Sequence, residues 1–351
     1  MAKLVYDDTG RLLFTKEMKE EYTILMPQML PVHFGMFQRL LELEGYKVDM
    51  LTSNHRGIID EGLKYVHNDT CYPALLVIGQ FLDALNSGKY DLDHTALLIT
   101  QTGGGCRASN YIKLLRKALV KAGYGNIPVA SLNFSGLEKG SGLPLTVPLL
   151  RKVIASIFYG DMLVALRSQT HAYENHRGDA DAMTEKWIAT IQGWIRDDKN
   201  YSAHDMKRRF YDIAADYATI PITRVPKVKV GVVGEIYVKY SPLGNNDLEK
   251  FLESQDCEVN LPGLMGFVEY CVANYKLDID LYGGNKLVAG GADAFLSWLD
   301  GIGCASYDAM RKYGFYAPGS FRELMKKPEG IISLGAKMGE GWLLTAEMIE
   351  L

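Results

Sequence analysis

The chain has 351 residues, of which 48% are hydrophobic and 23% are charged, and its formal net charge is −4. This length suggests two domains, and the slightly acidic balance excludes the basic surface that nucleic acids and anionic membranes attract. The apolar runs are shorter than the roughly 18 residues of a transmembrane helix, and the first residues lack the apolar core of a signal peptide. We therefore expect a cytoplasmic protein without nucleic-acid or membrane partners.

Residues 1–145 alternate between strand-like and helix-like patterns. Strands are predicted at 22–27, 47–52, 96–100 and 128–133, and helices at 33–45, 71–88 and 110–123. Pro73 suits the first turn of the second helix, with Asn68 or Asp69 as its N-cap. Because strands and helices alternate, we predict a parallel sheet covered on both faces. The fold class is α/β, with a first Rossmann-like (flavodoxin-like) domain over 1–145.

The rest of the chain is predicted to contain a helical connecting segment and a second domain. Residues 146–225 show helical stripes, and 226–351 begin a second α/β domain of the same Rossmann-like kind. Its predicted elements are strands at 228–234, 257–263 and 331–335, and helices at 246–256, 264–298, 305–313 and 341–351. Since a parallel α/β domain rarely ends on such a helix, we expect this domain to be truncated at its C-terminus.

The cysteines with the strongest functional pattern each precede a predicted helix. Cys106 follows Gly103, Gly104 and Gly105 in the loop after a buried strand. A helix N-terminus lowers the pKa of a thiol placed there, and successive glycines leave backbone N–H groups open to a bulky ligand. Cys71 repeats this arrangement at the start of the previous helix. Two loops at one edge of a parallel sheet would bring these sulfurs together.

The glycine loop lacks the patterns of three other kinds of binding site. The dinucleotide fingerprint G-x-G-x-x-G is absent, no Gly-Lys-Ser/Thr follows as in a P-loop, and zinc would favour paired C-x-x-C motifs. The alternatives left open are an inert buried cysteine and a phosphate cradle or tight turn. Thiolates in a glycine-lined cradle suit an iron-sulfur cluster best.

Four segments carry a resemblance to a known family. They are ILMPQMLPVHF (24–34), HNDTCYPALLVIGQ (67–80), TQTGGGCRASNYI (100–112) and SLGAKMGEGWLLTAEM (333–348). With them the chain resembles the catalytic components of 2-hydroxyacyl-CoA dehydratases, a family that includes benzoyl-CoA reductases and double-cubane cluster proteins. The most similar branch is the acyl-CoA dehydratase activase-related proteins, in the part that follows their ATPase region.

This resemblance implies a [4Fe-4S] cluster or a sulfide-bridged double cubane, held by three cysteines per subunit. Cys71 and Cys106 match the first two ligand positions. The family's third cysteine lies beyond the GEGW-type helix, and this chain ends at Leu351 on that helix, so we expect an incomplete cluster site. Cys304, predicted to lie in a loop, is an alternative third ligand if that loop lies at the same sheet edge.

The resemblance also implies partners and a substrate class. The partners are an actin/Hsp70-like ATPase that supplies a low-potential electron and a second subunit, identical or related, that forms a dimer. The substrate would be an acyl-CoA or a small unsaturated molecule. The expected function is therefore an iron-sulfur component of such a reductase or dehydratase. The alternatives are a cluster-free scaffold or regulatory relative, and a nucleotide-binding flavodoxin-like enzyme.

Other polar residues have weaker patterns. Gln101, Arg107 and Asn110 flank the glycine loop and could orient a cluster or substrate, although Asn110 fits a helix cap equally well. Glu235 follows a predicted strand and is a candidate acid or base, but a solvated loop carboxylate is favoured. Proton transfer by His33 or His67 near loop tips, and a metal site at His171 and His176, are less favoured than ordinary surface roles. We expect Cys257 at a strand start and Cys271 in a helical core.

Overall fold

A computed structural model describes residues 3–8, 10–67, 69–101, 107–133, 143 and 146–351. Five of these are described by their backbone alone: Gln101, Arg107, Ala108, Leu132 and Asn133. The chain divides into two compact units. Unit 1 comprises 1–150 with 240–246, and unit 2 comprises 151–239 with 247–351.

The described residues form the following strands and helices. The strands are β1 (Val5–Tyr6), β2 (Leu12–Leu13), β3 (Thr23–Pro27), β4 (Lys47–Leu51), β5 (Thr95–Gln101), β6 (Val129–Asn133), β7 (Lys229–Gly231) and β8 (Glu258–Asn260). The helices are α1 (Met18–Glu21), α2 (Pro31–Leu43), α3 (Gly57–Tyr65), α4 (Tyr72–Asn86), α5 (Tyr111–Ala122), α6 (Val147–His171), α7 (Asp179–Arg196), α8 (Ala203–Tyr217), α9 (Ile236–Tyr240), α10 (Pro242–Asn245), α11 (Leu248–Ser254), α12 (Leu264–Tyr282), α13 (Lys286–Lys312), α14 (Phe321–Leu324) and α15 (Gly341–Glu350). Among the described residues, no helix is both long and apolar enough to cross a membrane.

Unit 1 contains a parallel four-stranded sheet with the strand order β4-β3-β5-β6. Leu25 of β3 lies opposite Asp49 of β4 and Leu97 of β5. The inner strands β3 and β5 are near-continuous apolar runs because most of their side chains are buried. The α/β class and the four strands predicted in this region are confirmed. The short strands β1 and β2 pair antiparallel in a separate hairpin.

Helices α3 and α4 pack against each other through glycines. A Cβ on Gly79 would lie 2.1 Å from the Ile58 carbonyl oxygen, and one on Gly62 would lie 2.5 Å from the Leu75 carbonyl oxygen. The N-cap of α4 is Cys71, so the predicted N-cap at Asp69 is wrong and Asn68 lies outside the described residues. Cys71 takes the cap position because its backbone is extended and its carbonyl oxygen accepts the first helical hydrogen bond, from the Leu75 N–H.

Unit 2 combines α6–α8 with a strand-helix-strand segment and later helices. Strands β7 and β8 pair in parallel on either side of α11 in sequence, as predicted. One face of α8 is buried, and α13 packs against both α8 and α12. The buried residues of that face include Phe210, Ile213, Ala214 and Tyr217. A core cluster surrounds Trp342 of α15, whose ring centroid lies 5.0 Å from that of Tyr270.

Two predictions for unit 2 are wrong. Residues 331–335 form turns, because Pro328 accepts the N–H groups of Ile331 and Ile332 that a strand would use. The two helices predicted at 264–298 and 305–313 are divided elsewhere, at Gly283 and Gly284. Both glycines have positive φ, which ends α12 and leaves α13 continuous to Lys312.

Candidate functional site

The carboxyl edge of the sheet in unit 1 is the first candidate site. From β3 the chain passes to its neighbour β4, and from β5 it passes to β6 on the opposite side. The connections therefore reverse between β3 and β5, and open α/β sheets bind ligands outside the carboxyl ends of the strands at such a point. The glycine-cysteine segment 102–106 directly follows β5 in the sequence.

Helix α4 carries Cys71 beyond this edge. Gln80, in the middle of α4, donates hydrogen bonds to the carbonyl oxygens of Leu51 (3.3 Å) and Ser53 (2.8 Å), at the carboxyl end of β4. The C-terminal end of α4 leads to the start of β5, so its N-terminal turns extend past the edge by about 1.5 Å per residue. Cys71 is a free, half-buried cysteine at that N-terminus.

The Cys71 thiol contacts the helix that follows the glycine-cysteine segment. Its Sγ lies 2.9 Å from the Tyr111 hydroxyl, and either atom can donate the hydrogen bond. Tyr111 is the first residue of α5, immediately after the single helical turn Arg107–Asn110. The Cys71 side chain makes no cap hydrogen bond to α4, so the contact with Tyr111 is what orients the sulfur at the start of the helix.

The remaining residues predicted for this site are described only in part. Cys106 and the glycines Gly103, Gly104 and Gly105 lie outside the described residues, and the side chains of Gln101 and Arg107 do so as well. Asn110 is exposed at the N-cap position of α5, and its side chain makes no cap hydrogen bond.

The other cysteines lie in unit 2. Cys304 is in the last third of α13, so the prediction that it occupies a loop is wrong. Burial raises the pKa of this thiol, and Asp300 and Asp308 raise it further, so the protonated form is favoured. Burial likewise raises the pKa of Cys271 to about 12, with a further contribution from Glu340. Cys271 packs against the core cluster, as expected, and Cys257 precedes β8.

The histidines do not form a metal site in the part of the chain that the structure describes. There, no three His, Cys, Asp or Glu side chains are arranged to hold a metal ion. His171 is largely buried with Nδ1 2.9 Å from Glu174 Oε1, whereas His176 is 79% exposed, so the two do not act together. His33 is buried in the first turn of α2 rather than at a loop tip. His67 is exposed, and its Nδ1 accepts the Asp69 N–H.

A second group of ionisable side chains lies in unit 2, around Glu235. Glu235 follows β7, and one of its carboxylate oxygens accepts the N–H groups of Tyr237 and Val238 at 3.1 Å. Burial raises the pKa of Glu235, although these N–H groups and Lys239 oppose the increase. The side chain is therefore a half-buried helix cap for α9 and not the solvated loop carboxylate that was favoured.

Glu340 and an ion pair complete this group. Glu340 Oε2 accepts the Ile236 N–H at 3.0 Å, and Lys239 Nζ lies 2.9 and 3.0 Å from the two oxygens of Glu347. Glu340, Lys239 and Glu347 are all more than nine-tenths buried. Burial, followed by the charge of Glu235, raises the pKa of Glu340 to about 7. Three carboxyl groups face one ammonium group, so this arrangement can retain a proton near neutral pH.

The segment Gly339–Trp342 positions the Glu340 carboxyl by an unusual backbone. Gly339 and Glu340 both have positive φ, 60° and 65°. A Cβ on Gly341 would lie 2.6 Å from the Ala336 carbonyl oxygen. Trp342 is fully buried, and its backbone N–H donates to that same carbonyl oxygen. The left-handed conformation of a non-glycine residue is costly, which marks Glu340 as a position with a specific role.

Sequence reasoning missed Glu340, Lys239 and Glu347 as site residues. The available signal was the pattern Gly-Glu-Gly, in which two glycines flank an acidic residue at the start of a predicted helix. Such a pattern indicates a backbone that only glycine tolerates on either side of one carboxylate. The ion pair had no sequence signal, because Lys239 and Glu347 are 108 positions apart.

Comparison with known proteins adds no identification. No protein-family model, no curated protein and no solved structure matches this chain.

Proposed function

We propose that this chain is the iron-sulfur cluster-binding component of an ATP-activated low-potential reductase or 2-hydroxyacyl-CoA dehydratase-type system. Unit 1 would be a flavodoxin-like domain, since its strand order corresponds to the order 2-1-3-4 of that fold, and unit 2 a second Rossmann-like domain. Cys71 and Cys106 would be cluster ligands. The observation that carries the proposal is the Cys71 sulfur at the N-terminus of α4, in contact with the first residue of α5.

The chemistry of these residues fits an iron-sulfur ligand set. A thiolate is a soft ligand of the kind that holds iron-sulfur clusters, and Cys71 places its sulfur at a helix N-terminus. The Tyr111 hydroxyl can donate a hydrogen bond to the Cys71 sulfur, and hydrogen bonds to sulfur tune a cluster's reduction potential. A bound cluster would supply one electron at low potential. The glycines before Cys106 would offer backbone N–H groups to the same centre.

The partners and the substrate belong to the same proposal. An actin/Hsp70-like ATPase would reduce the cluster, and a second subunit, identical or related, would form a dimer with this chain. Cys304 is a poor third ligand, because burial and the neighbouring Asp300 favour its protonated form. The substrate would be an acyl-CoA or a small unsaturated molecule that accepts the electron.

A second candidate function is a cluster-free scaffold or regulatory relative that binds partner subunits. The Cys71 sulfur already has a protein hydrogen-bond partner in Tyr111, and burial favours the protonated thiol at both Cys271 and Cys304. A structural cysteine would have these same properties.

Anaerobic reconstitution with iron and sulfide distinguishes the two functions. We expect the wild-type protein to turn brown, with broad absorbance at about 400 nm and up to about four iron atoms per cluster. The double variant Cys71→Ser, Cys106→Ser should remain colourless. Cys257→Ser is the matched control, because it removes a half-buried thiol outside the proposed site, and it should retain the iron. If the wild-type protein holds no more iron than the double variant, the cluster-binding function is wrong and the scaffold function is favoured.

A further inference from the structure

We propose that Glu340 is a proton-sensitive latch within unit 2. With its proton, Glu340 holds the turn that begins α15 against the backbone that begins α9; once ionised, it releases that contact. The latch is independent of the proposed cluster, because all of its groups belong to unit 2 and none is a proposed ligand.

The latch has two sides, and each is a segment of unit 2. One side is the Gly339–Trp342 turn, which is fixed by the buried Trp342 ring and by the Trp342 N–H to Ala336 hydrogen bond. The other side is the segment after β7, whose Ile236 N–H donates to Glu340 Oε2 at 3.0 Å. This hydrogen bond spans 104 positions of the chain. Breaking it therefore releases the start of α9 from this turn, while the Lys239–Glu347 ion pair still connects the two helices.

Burial, followed by the charges of Glu235 and Glu347, favours the protonated form of Glu340 and outweighs Lys239 and the Ile236 N–H, which favour the ionised form. Glu235 faces it from the segment after β7, Lys239 from α9, Glu347 from α15 itself, and the protonated Cys271 from α12. Both oxygens of Glu347 already bind the Lys239 ammonium group. An ionised Glu340 thus meets two carboxylates and an ammonium group that is already paired, in a site that excludes water. Moving outward into water relieves this repulsion, at the loss of the Ile236 hydrogen bond.

The pH range of the latch follows from the pKa of Glu340, which is about 7 in the closed form, whereas a solvated glutamate titrates near 4.5. Below about pH 4.5 both forms are protonated, so opening does not depend on pH. Between 4.5 and 7 the open form loses its proton first, so opening becomes more favourable as the pH rises. Because the closed form titrates near 7, the opening constant should increase about tenfold between pH 6 and 8.

Hydrogen-deuterium exchange tests the latch on the full chain. We expect protection of the peptide containing Ile236, corrected for the intrinsic exchange rate, to fall about tenfold between pH 6 and 8 in the wild-type protein. Glu340→Gln keeps an acceptor for Ile236 but cannot ionise, so its protection should not change with pH. Glu329→Gln is the control, because this exposed carboxylate lies outside the latch, and it should behave as wild type.

A second variant tests the latch even if Glu340→Gln does not fold. Glu235→Gln removes the strongest repelling charge, so the fall in protection between pH 6 and 8 should become smaller. The latch is wrong if wild-type protection is constant over this range, or if Glu340→Gln shows the same pH dependence as wild type. It is equally wrong if Glu235→Gln leaves the dependence unchanged.

Discussion

Single glycines set how closely the helices of unit 1 approach. Gly79 lies where a Cβ would come within 2.1 Å of the Ile58 carbonyl oxygen, a backbone atom that no side-chain rotation can move. The substitution Gly79→Ala gains up to about 1 kcal/mol of helix propensity. The forced separation of α3 from α4 should cost more, about 3 kcal/mol, as overpacking does. The clash therefore outweighs the gain in helix propensity, and the substitution should destabilise the protein.

We predict that Gly79→Ala lowers the free energy of unfolding by about 2 kcal/mol, the difference of these two effects. Gly35 of α2 is the matched control, because a Cβ there would have no neighbour within 4 Å, and Gly35→Ala should be neutral or stabilising. Chemical denaturation followed by circular dichroism measures both. Equal effects of the two substitutions would show that α3 and α4 are not in backbone contact.

For single residues, the place in the secondary structure was easier to predict from the sequence than the side chains in contact. Cys71 was identified from its place before Pro73, and it does begin α4. Its contact with Tyr111 joins residues 40 positions apart, so no local pattern could indicate it. Asp69 was predicted as the N-cap from residue preference alone, whereas the extended backbone at Cys71 determines where the helix starts.

At the scale of elements, α12 depends on a side chain from α6 for its N-terminal hydrogen bonds. The N-cap of α12 is Gly263, which has no side chain, and Asp161 instead accepts the N–H groups of Leu264 (2.7 Å) and Met265 (2.8 Å). A Cβ on Gly263 would lie 2.6 Å from Asp161 Oδ2. The glycine therefore allows the carboxylate to approach, and the carboxylate replaces the missing cap.

We predict that Asp161→Ala destabilises unit 2 by about 2 kcal/mol, the upper range for loss of a helix cap. Asp161→Asn keeps one acceptor oxygen and should lose about half as much. Thermal unfolding followed by tryptophan fluorescence measures both variants. If alanine and asparagine were equally tolerated at no cost, Asp161 would have no part in capping α12.

The buried pair Lys239–Glu347 connects α9 to α15. Both side chains are less than 5% exposed, so removing one partner leaves a charge without compensation in a site that excludes water. Burial raises the pKa of Glu347 even though Lys239 opposes the increase. Glu347 can therefore take up a proton when Lys239 is lost, and it does so more easily at low pH.

We predict that Lys239→Met destabilises unit 2 by about 3 to 5 kcal/mol at pH 8 and by clearly less at pH 5. The double variant Lys239→Met, Glu347→Leu replaces the pair by apolar side chains of similar volume and should be close to wild type at both values. Urea unfolding measures the stability loss of the single and double variants at both pH values. A single variant with the same stability loss at both pH values would contradict this account of Glu347.

The elements of unit 1 were easier to predict than those of unit 2 for a physical reason. Buried parallel strands such as β5 are continuous apolar runs, and Gly123 after α5 has the positive φ that ends a helix. The segment 331–335 is also apolar, but its N–H groups are used in turns after Pro328. Composition cannot distinguish these two uses of an apolar run, because the difference lies in the hydrogen-bond partners.

For the whole molecule, the buried acidic groups with raised pKa are concentrated in unit 2. Glu269 is 5% exposed, and its pKa is raised well above 4.5 by burial, and then by Asp300 and Asp161. Glu340 follows, with a pKa of about 7. A group whose pKa is higher in the folded state contributes its full stability below its unfolded pKa and loses it as the pH rises. Unit 2 should therefore weaken from pH 4.5 upward.

We predict that the free energy of unfolding of unit 2 falls by about 3 kcal/mol between pH 4.5 and 7 from Glu340 alone. Tryptophan fluorescence reports this unit selectively, because all four tryptophans lie in it: Trp187, Trp194, Trp298 and Trp342. The double variant Glu269→Gln, Glu340→Gln should have a much flatter pH dependence. Stability that increases from pH 5 to 8 in the wild type would refute these protonation states.

Unit 1 is formed by two separate stretches of the chain, 1–150 and 240–246. This affects when the unit can finish folding during synthesis. A ribosome releases the whole parallel sheet early, but it must synthesise 151–239 before α10, which packs on α4, can be added. The nascent chain thus carries an unfinished first unit while the helices of the second emerge. A chaperone that binds this stage would encounter the surface of α4 that α10 later covers.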